Sequence, residues 1–135
     1  MNVLDRFRLD GKRVMVTGGS RGFGRAIALA CAEVGADVVL AARDPDNLAR
    51  TAGEVRERGR EAWTFVGDIS QPAVCEDLCR RVLDEVAPID VLVNNVGGRV
   101  IDVAVETCDL ETWRRFIDHN LTHCFLCSKM IGGAM

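Results

Sequence analysis

No tyrosine occurs among the 135 residues, and aromatic side chains make up only 5% of them. A phenol is therefore unavailable here as a general acid or base, and the core must be filled mainly by small aliphatic side chains. No basic block stands out and the formal net charge is −3, so nothing points to nucleic acid as a partner. No apolar run approaches membrane-spanning length. The N-terminus carries Asp5, Arg6, Arg8 and Asp10 among its apolar residues, which is not the pattern of a signal peptide. These absences predict a cytoplasmic protein with no membrane partner. In that setting the six cysteines, Cys31, Cys75, Cys79, Cys108, Cys124 and Cys127, are expected as reduced thiols serving as small hydrophobes. There is no internal repeat, low-complexity tract or linker, so residues 1–135 are read as a single domain.

What is present is a glycine-rich turn. Thr17-Gly18-Gly19-Ser20-Arg21-Gly22-Phe23-Gly24 follows the apolar run Val14-Met15-Val16 and opens into the helical pattern Ala26-Ile27-Ala28-Leu29-Ala30. A strand, such a turn and a helix in that order point free backbone N–H groups and the positive end of a helix dipole at one spot, where an anion settles. Glycines there permit the tight turn, the approach of a pyrophosphate and close packing of helix on strand. A helix that merely packs closely on its strand does not require three glycines at this spacing, so a dinucleotide site is the preferred reading.

The rest of the chain alternates. Strands are expected at Lys12–Thr17, Asp37–Ala42, Ala62–Val66 and Ile89–Val93. Helices are expected at Gly22–Val34, from Asp44-Pro45 to Gly59, at Pro72–Val86, and from Leu110 to about Ile131 with Asp109 as cap. Four strand–helix units of roughly thirty residues are what βαβ crossovers require. Runs such as Val38-Val39-Leu40-Ala41 suit a parallel sheet covered on both faces. The expected fold is α/β, a Rossmann-like doubly wound parallel sheet.

The end of the second strand bears on which dinucleotide binds. A carboxylate there would grip ribose hydroxyls and favour NAD, whereas a cation would accommodate the 2′-phosphate of NADP. The strand ends Leu40-Ala41-Ala42-Arg43, and Arg21 in the turn reaches the same side. Two cations on one phosphate make charge-assisted contacts. NADP is therefore favoured over NAD, and Asp44, standing before Pro45, is read as a helix cap. Two solvated surface arginines are the competing reading.

Taken together, Thr17-Gly-x-x-x-Gly-x-Gly24, Asp68-Ile69-Ser70 after the third strand, Asn94-Asn95-Val96-Gly97 after the fourth and Asn120 in the last helix resemble the short-chain dehydrogenase/reductase family. The resemblance spans almost the whole chain and implies a sheet order of 3-2-1-4, with further strands following in the family. It also implies that Thr17, Gly18, Ser20, Arg21, Gly22, Phe23 and Gly24 wrap the pyrophosphate and adenosine ribose, with Arg43 beside them. Asp68 and Ile69 would hold the adenine, and Asn95, Val96 and Gly97 would lie along the ribose side, Val96 replacing the usual alanine at a small steric cost. Asn120 matches the asparagine that kinks the fourth helix and holds a water in a proton relay.

The family's chemistry also needs a serine, and a tyrosine four residues before a lysine. No tyrosine is present, so the chain resembles the cofactor-binding half of an oxidoreductase that moves hydride between NADP(H) and a carbonyl or alcohol. It is expected to be truncated after the fourth helix, inactive alone, and to form a homo-oligomer or await a complementing C-terminal half. A non-catalytic dinucleotide-binding or interaction module is the alternative.

Other candidates are assigned to packing. His119, His123 and Cys127 recur every four residues on one helical face, and with no distant cysteine obviously completing a site, no metal is expected. Cys75 and Cys79 share a helix face and are read as core. Arg99 and the loop from Val100 to Asp109 are read as exposed.

Overall fold

The computed structural model describes residues 1–99 and 102–135; Val100 and Ile101, in the loop read as exposed, lie outside the described residues. After a 3-10 turn at Val3–Phe7 the chain runs β1 (Arg13–Thr17), α1 (Gly22–Glu33), β2 (Asp37–Ala42), α2 (Pro45–Glu57), β3 (Ala62–Val66), α3 (Pro72–Glu85) and β4 (Val91–Val93). A 3-10 turn at Val105–Thr107 leads to α4 (Leu110–Ile117), which continues through a π-helical turn (Asp118–Thr122) into α5 (His123–Cys127) and a second π-helical turn (Ser128–Gly132).

The strands form one parallel sheet in the order β3-β2-β1-β4, with Val14 opposite both Val38 and Val91. This is the expected doubly wound, Rossmann-like arrangement. Alternate side chains of β1 leave on opposite faces. Val14 and Val16 join Val38, Leu40, Leu29, Leu48 and Val55 in a core shared with α1 and α2. Met15 joins Val39, Phe65, Leu78, Val82 and Ile131 in a second core, shared with α3 and the last helical run.

Element ends follow local chemistry. Asp44 caps α2, its carboxylate accepting the N–H groups of Asp46 (3.0 Å) and Asn47 (3.1 Å), with Pro45 in the first turn. Asp109 caps α4 through the N–H of Thr112 (2.7 Å). β4 is shorter than the expected Ile89–Val93. Ile89 is buried in the core, and Asp90 turns its carboxylate to the N–H of Arg13 (2.9 Å) and to Lys12 Nζ (3.1 Å). The single long helix expected from Leu110 is a continuous helical run with two wider turns in it, the first centred on Asn120.

Candidate functional site

The glycine turn sits at the carboxyl end of the sheet. Thr17 is fully buried, and its hydroxyl donates to the Val93 carbonyl (3.3 Å) while accepting the N–H groups of Asn95 (2.9 Å) and Val96 (3.3 Å). One side chain thus joins the ends of β1 and β4. Gly18 follows with φ +68°, a left-handed conformation that a side chain disfavours, and a Cβ there would press on Asn95 Nδ2 at 2.9 Å. Gly24 has another reason to be glycine: a Cβ would collide with the Gly18 carbonyl and with Asn95.

α1 begins at Gly22. Its N-cap residue, Arg21, makes no side-chain cap, and no acidic residue stands in the first turn. The amides that a cap would satisfy are left for another acceptor, at the positive end of a 12-residue helix. They face a cavity of about 480 Å³ lined by Gly18, Ser20, Arg21, Gly22 and Phe23 from the turn. Ser20 is itself anchored, its carbonyl accepting the Thr51 hydroxyl of α2 (3.3 Å).

The walls come from the next strand ends. Ala41, Ala42, Arg43 and Asp44 form one side, and Gly67, Asp68 and Ile69 another. Arg21 and Arg43 are exposed, and neither forms an ion pair among the described residues. The Asn47 hydrogen bonds hold the Asp44 carboxyl below the usual carboxylate range, and the charge of Arg21 adds to this. Burial pushes the Asp68 carboxyl up, but it is outweighed by the Ser70 hydroxyl (2.7 Å), the Ser70 N–H (3.1 Å) and the charge of Arg43, so the net shift is downward. Both carboxylates are thus ionised and fixed in position.

The loop after β4 closes the cavity with Asn95, Val96 and Gly97. Asn120 holds it there: Oδ1 accepts the Gly98 N–H (2.8 Å) and Nδ2 donates to the Phe116 carbonyl (3.1 Å). A side chain inserted into the helical ladder in this way accompanies a π turn. Of the thirteen cofactor residues named from the sequence, Thr17 and Gly24 stand behind the wall as supports; the others line it. His119 also lines the cavity. The sequence reading assigned His119 to packing in a helical stripe, although its position one residue before Asn120 was the available signal.

The stripe itself does not converge. His123 is fully buried with Nε2 against the His119 carbonyl (2.9 Å), and burial holds its pKa below the ordinary value. Cys127 instead meets Cys75 and Cys79 of α3, with Sγ–Sγ distances of 3.6 and 3.7 Å. Cys75 and Cys79, read from the sequence as core, are fully buried and bring two thiols from a separate helix to Cys127.

The family model described as short chain dehydrogenase matches residues 12–135. The chain belongs to the short-chain dehydrogenase family. It is 42% identical over 105 residues to an uncharacterised oxidoreductase of Mycobacterium tuberculosis, a match covering 78% of this chain and 40% of that protein. The fold superposes with a TM-score of 0.88 on a 3-oxoacyl-(acyl-carrier-protein) reductase of Agrobacterium tumefaciens with NADP bound, at 29% identity, covering 100% of this chain and 52% of that one. An NADH-dependent reductase complexed with NAD gives 0.84 at 34% identity, covering 91% and 51%. This short-chain dehydrogenase chain spans about half the length of the proteins it matches.

Proposed function

We propose that the chain supplies the dinucleotide-binding half of an oxidoreductase that moves hydride between NADP(H) and a carbonyl or alcohol. The observation that carries this reading is the uncapped first turn of α1, opening with the glycine turn onto a cavity flanked by Arg21 and Arg43. The residues present suit the group. Amide donors meet a diphosphate, and Gly18 and Gly24 keep the backbone bare and close-packed.

In this reading the amides of Gly22 and Phe23 hold the pyrophosphate, with Gly24 packed behind them against the Gly18 carbonyl. Arg21 and Arg43 hold the 2′-phosphate, and the charge of each also acts on a wall carboxylate, Arg21 on Asp44 and Arg43 on Asp68. Asp68 accepts from the adenine edge and Ile69 covers a ring face. Asn95 to Gly97 lie along the ribose side. Asn120, both ends of its amide engaged, acts as a positioning residue for that loop. The nicotinamide, when bound, supplies or accepts the hydride.

Fluorescence titration with NADPH and NADH tests the cofactor assignment. The expected result is tighter binding of NADPH, with the difference reduced in Arg43→Ala. Equal or tighter binding of NADH by the unsubstituted chain contradicts it.

A further inference from the structure

Three thiols meet beneath the sheet, on the face opposite α1. Cys75 and Cys79 stand one helical turn apart on α3, and Cys127 comes from α5. All three are fully buried, in a core that includes Phe65, Leu78, Leu126 and Ile131. Sγ of Cys127 is 3.6 Å from that of Cys75 and 3.7 Å from that of Cys79, and all three sulfurs lie within 4.8 Å of one another.

That spacing is close to what one central atom imposes. Three sulfurs bonded at about 2.3 Å to one centre stand about 3.3 to 4.0 Å apart, from the narrow angles of a pyramidal centre to the planar limit. The donor set then decides which centre fits. Among the described residues no histidine or carboxylate joins the cluster. His123, the nearest imidazole in the chain, is committed to the His119 carbonyl (2.9 Å) and faces Cys124 Sγ (3.6 Å) with its other nitrogen. A structural zinc ion wants four ligands and finds three. Charge gives a second constraint. A monovalent or divalent ion held by three thiolates leaves net negative charge in an apolar core, which is unfavourable without a partner. A trivalent centre with three thiolates is neutral.

We propose that Cys75, Cys79 and Cys127 form a binding site for trivalent arsenic, taken up as arsenite. The exchange balances without an oxidant or reductant. Three As–O bonds of As(OH)₃ break and three As–S bonds form, each thiol proton leaves with a hydroxide as water, and arsenic stays trivalent. The site is closed to solvent, so entry requires local opening of the helical run around Cys127, which lies between two π-helical turns. Once formed, the adduct ties α3 to a helix 48 to 52 residues along the chain and stabilises the fold.

The test is incubation of the reduced chain with sodium arsenite, read by intact mass and by X-ray absorption. The expected adduct holds one arsenic less three protons, shows three As–S contacts, lowers the free-thiol count from six to three, and raises the melting temperature. The Cys31→Ser/Cys108→Ser/Cys124→Ser variant should keep it. Cys127→Ser should reduce it to two As–S contacts, and the absorption measurement on the unsubstituted chain stands even where that variant fails to fold. Absence of bound arsenic in the folded chain, fewer than three As–S contacts, or loss of the adduct in the Cys31/Cys108/Cys124 variant would each overturn the proposal.

Discussion

At the scale of single residues, the site depends on a few side chains and on two positions that have none. Arg43 projects beyond β2, forms no ion pair among the described residues, and is exposed to a phosphate. A charge-assisted hydrogen bond contributes about 1.5–3 kcal/mol. Arg43→Ala should therefore weaken NADP(H) roughly tenfold or more while leaving NAD(H) nearly unchanged, as calorimetry of both cofactors would register. Gly24 packs against the Gly18 carbonyl with no room for a methyl. Overpacking of this kind costs about 1–3 kcal/mol. Gly24→Ala should lower the denaturation midpoint and displace the turn, so that dinucleotide affinity falls along with stability. An alanine variant with unchanged midpoint would show that the turn has slack the contacts do not suggest.

At the scale of elements, Asn120 couples the fourth helical run to the loop after β4. Its removal leaves the Gly98 N–H without its acceptor. Asn120→Ala should speed amide exchange at Gly98 and destabilise the chain by about 0.5–1.5 kcal/mol, with exchange in β1 and β2 unaffected. Equal acceleration everywhere would mean a global rather than a local role.

The order of elements was legible in the sequence because each strand is a short apolar run and each helix carries its own start signal. Asp44-Pro45 and Asp109 mark their helices as local chemistry dictates. The glycine turn was legible for the same reason, since it is built from consecutive residues. Three features were not legible. β4 loses Ile89 and Asp90 to tertiary demands, the first to the core and the second to Lys12 and Arg13. His119 lines the cavity from within a π turn, whereas periodicity assumes a uniform helix. The thiol cluster joins residues from two helices whose packing no local pattern reports.

At the scale of the whole molecule, two properties stand out. The first is a buried base. Burial holds the His123 imidazole below its ordinary 6.5, the hydrogen bond at the His119 carbonyl acting the other way. Below 6.5 the unfolded chain binds the proton more readily than the folded one, so stability rises with pH across that window and falls as the solution is acidified. The melting temperature should drop between about pH 7 and about pH 5. The carboxyls of Asp44, Asp68, Asp90 and Asp109, all held below their ordinary range, protonate at lower pH. His123→Gln should flatten the upper part of that curve; an identical slope in the variant would assign it to another group.

The second is an exposed apolar face. Trp113 (53% exposed), Leu121 (59%) and Phe125 (60%) stand open along the last helical run, together with Leu110. Apolar surface gathered along one helix favours association. Sedimentation coefficients should rise with concentration, and Trp113→Glu should suppress the rise. No described helix is long and apolar enough to cross a membrane.

The most direct measurement is an amide correlation spectrum of the nitrogen-15-labelled chain as NADP is added. Recognition of a diphosphate by the bare mouth of α1 places the largest shifts at the N–H groups of Gly18 to Gly24, with smaller ones at Asn95 to Gly97. A folded chain whose turn amides stay put while NADP saturates elsewhere, or fails to bind at millimolar concentration, would contradict it.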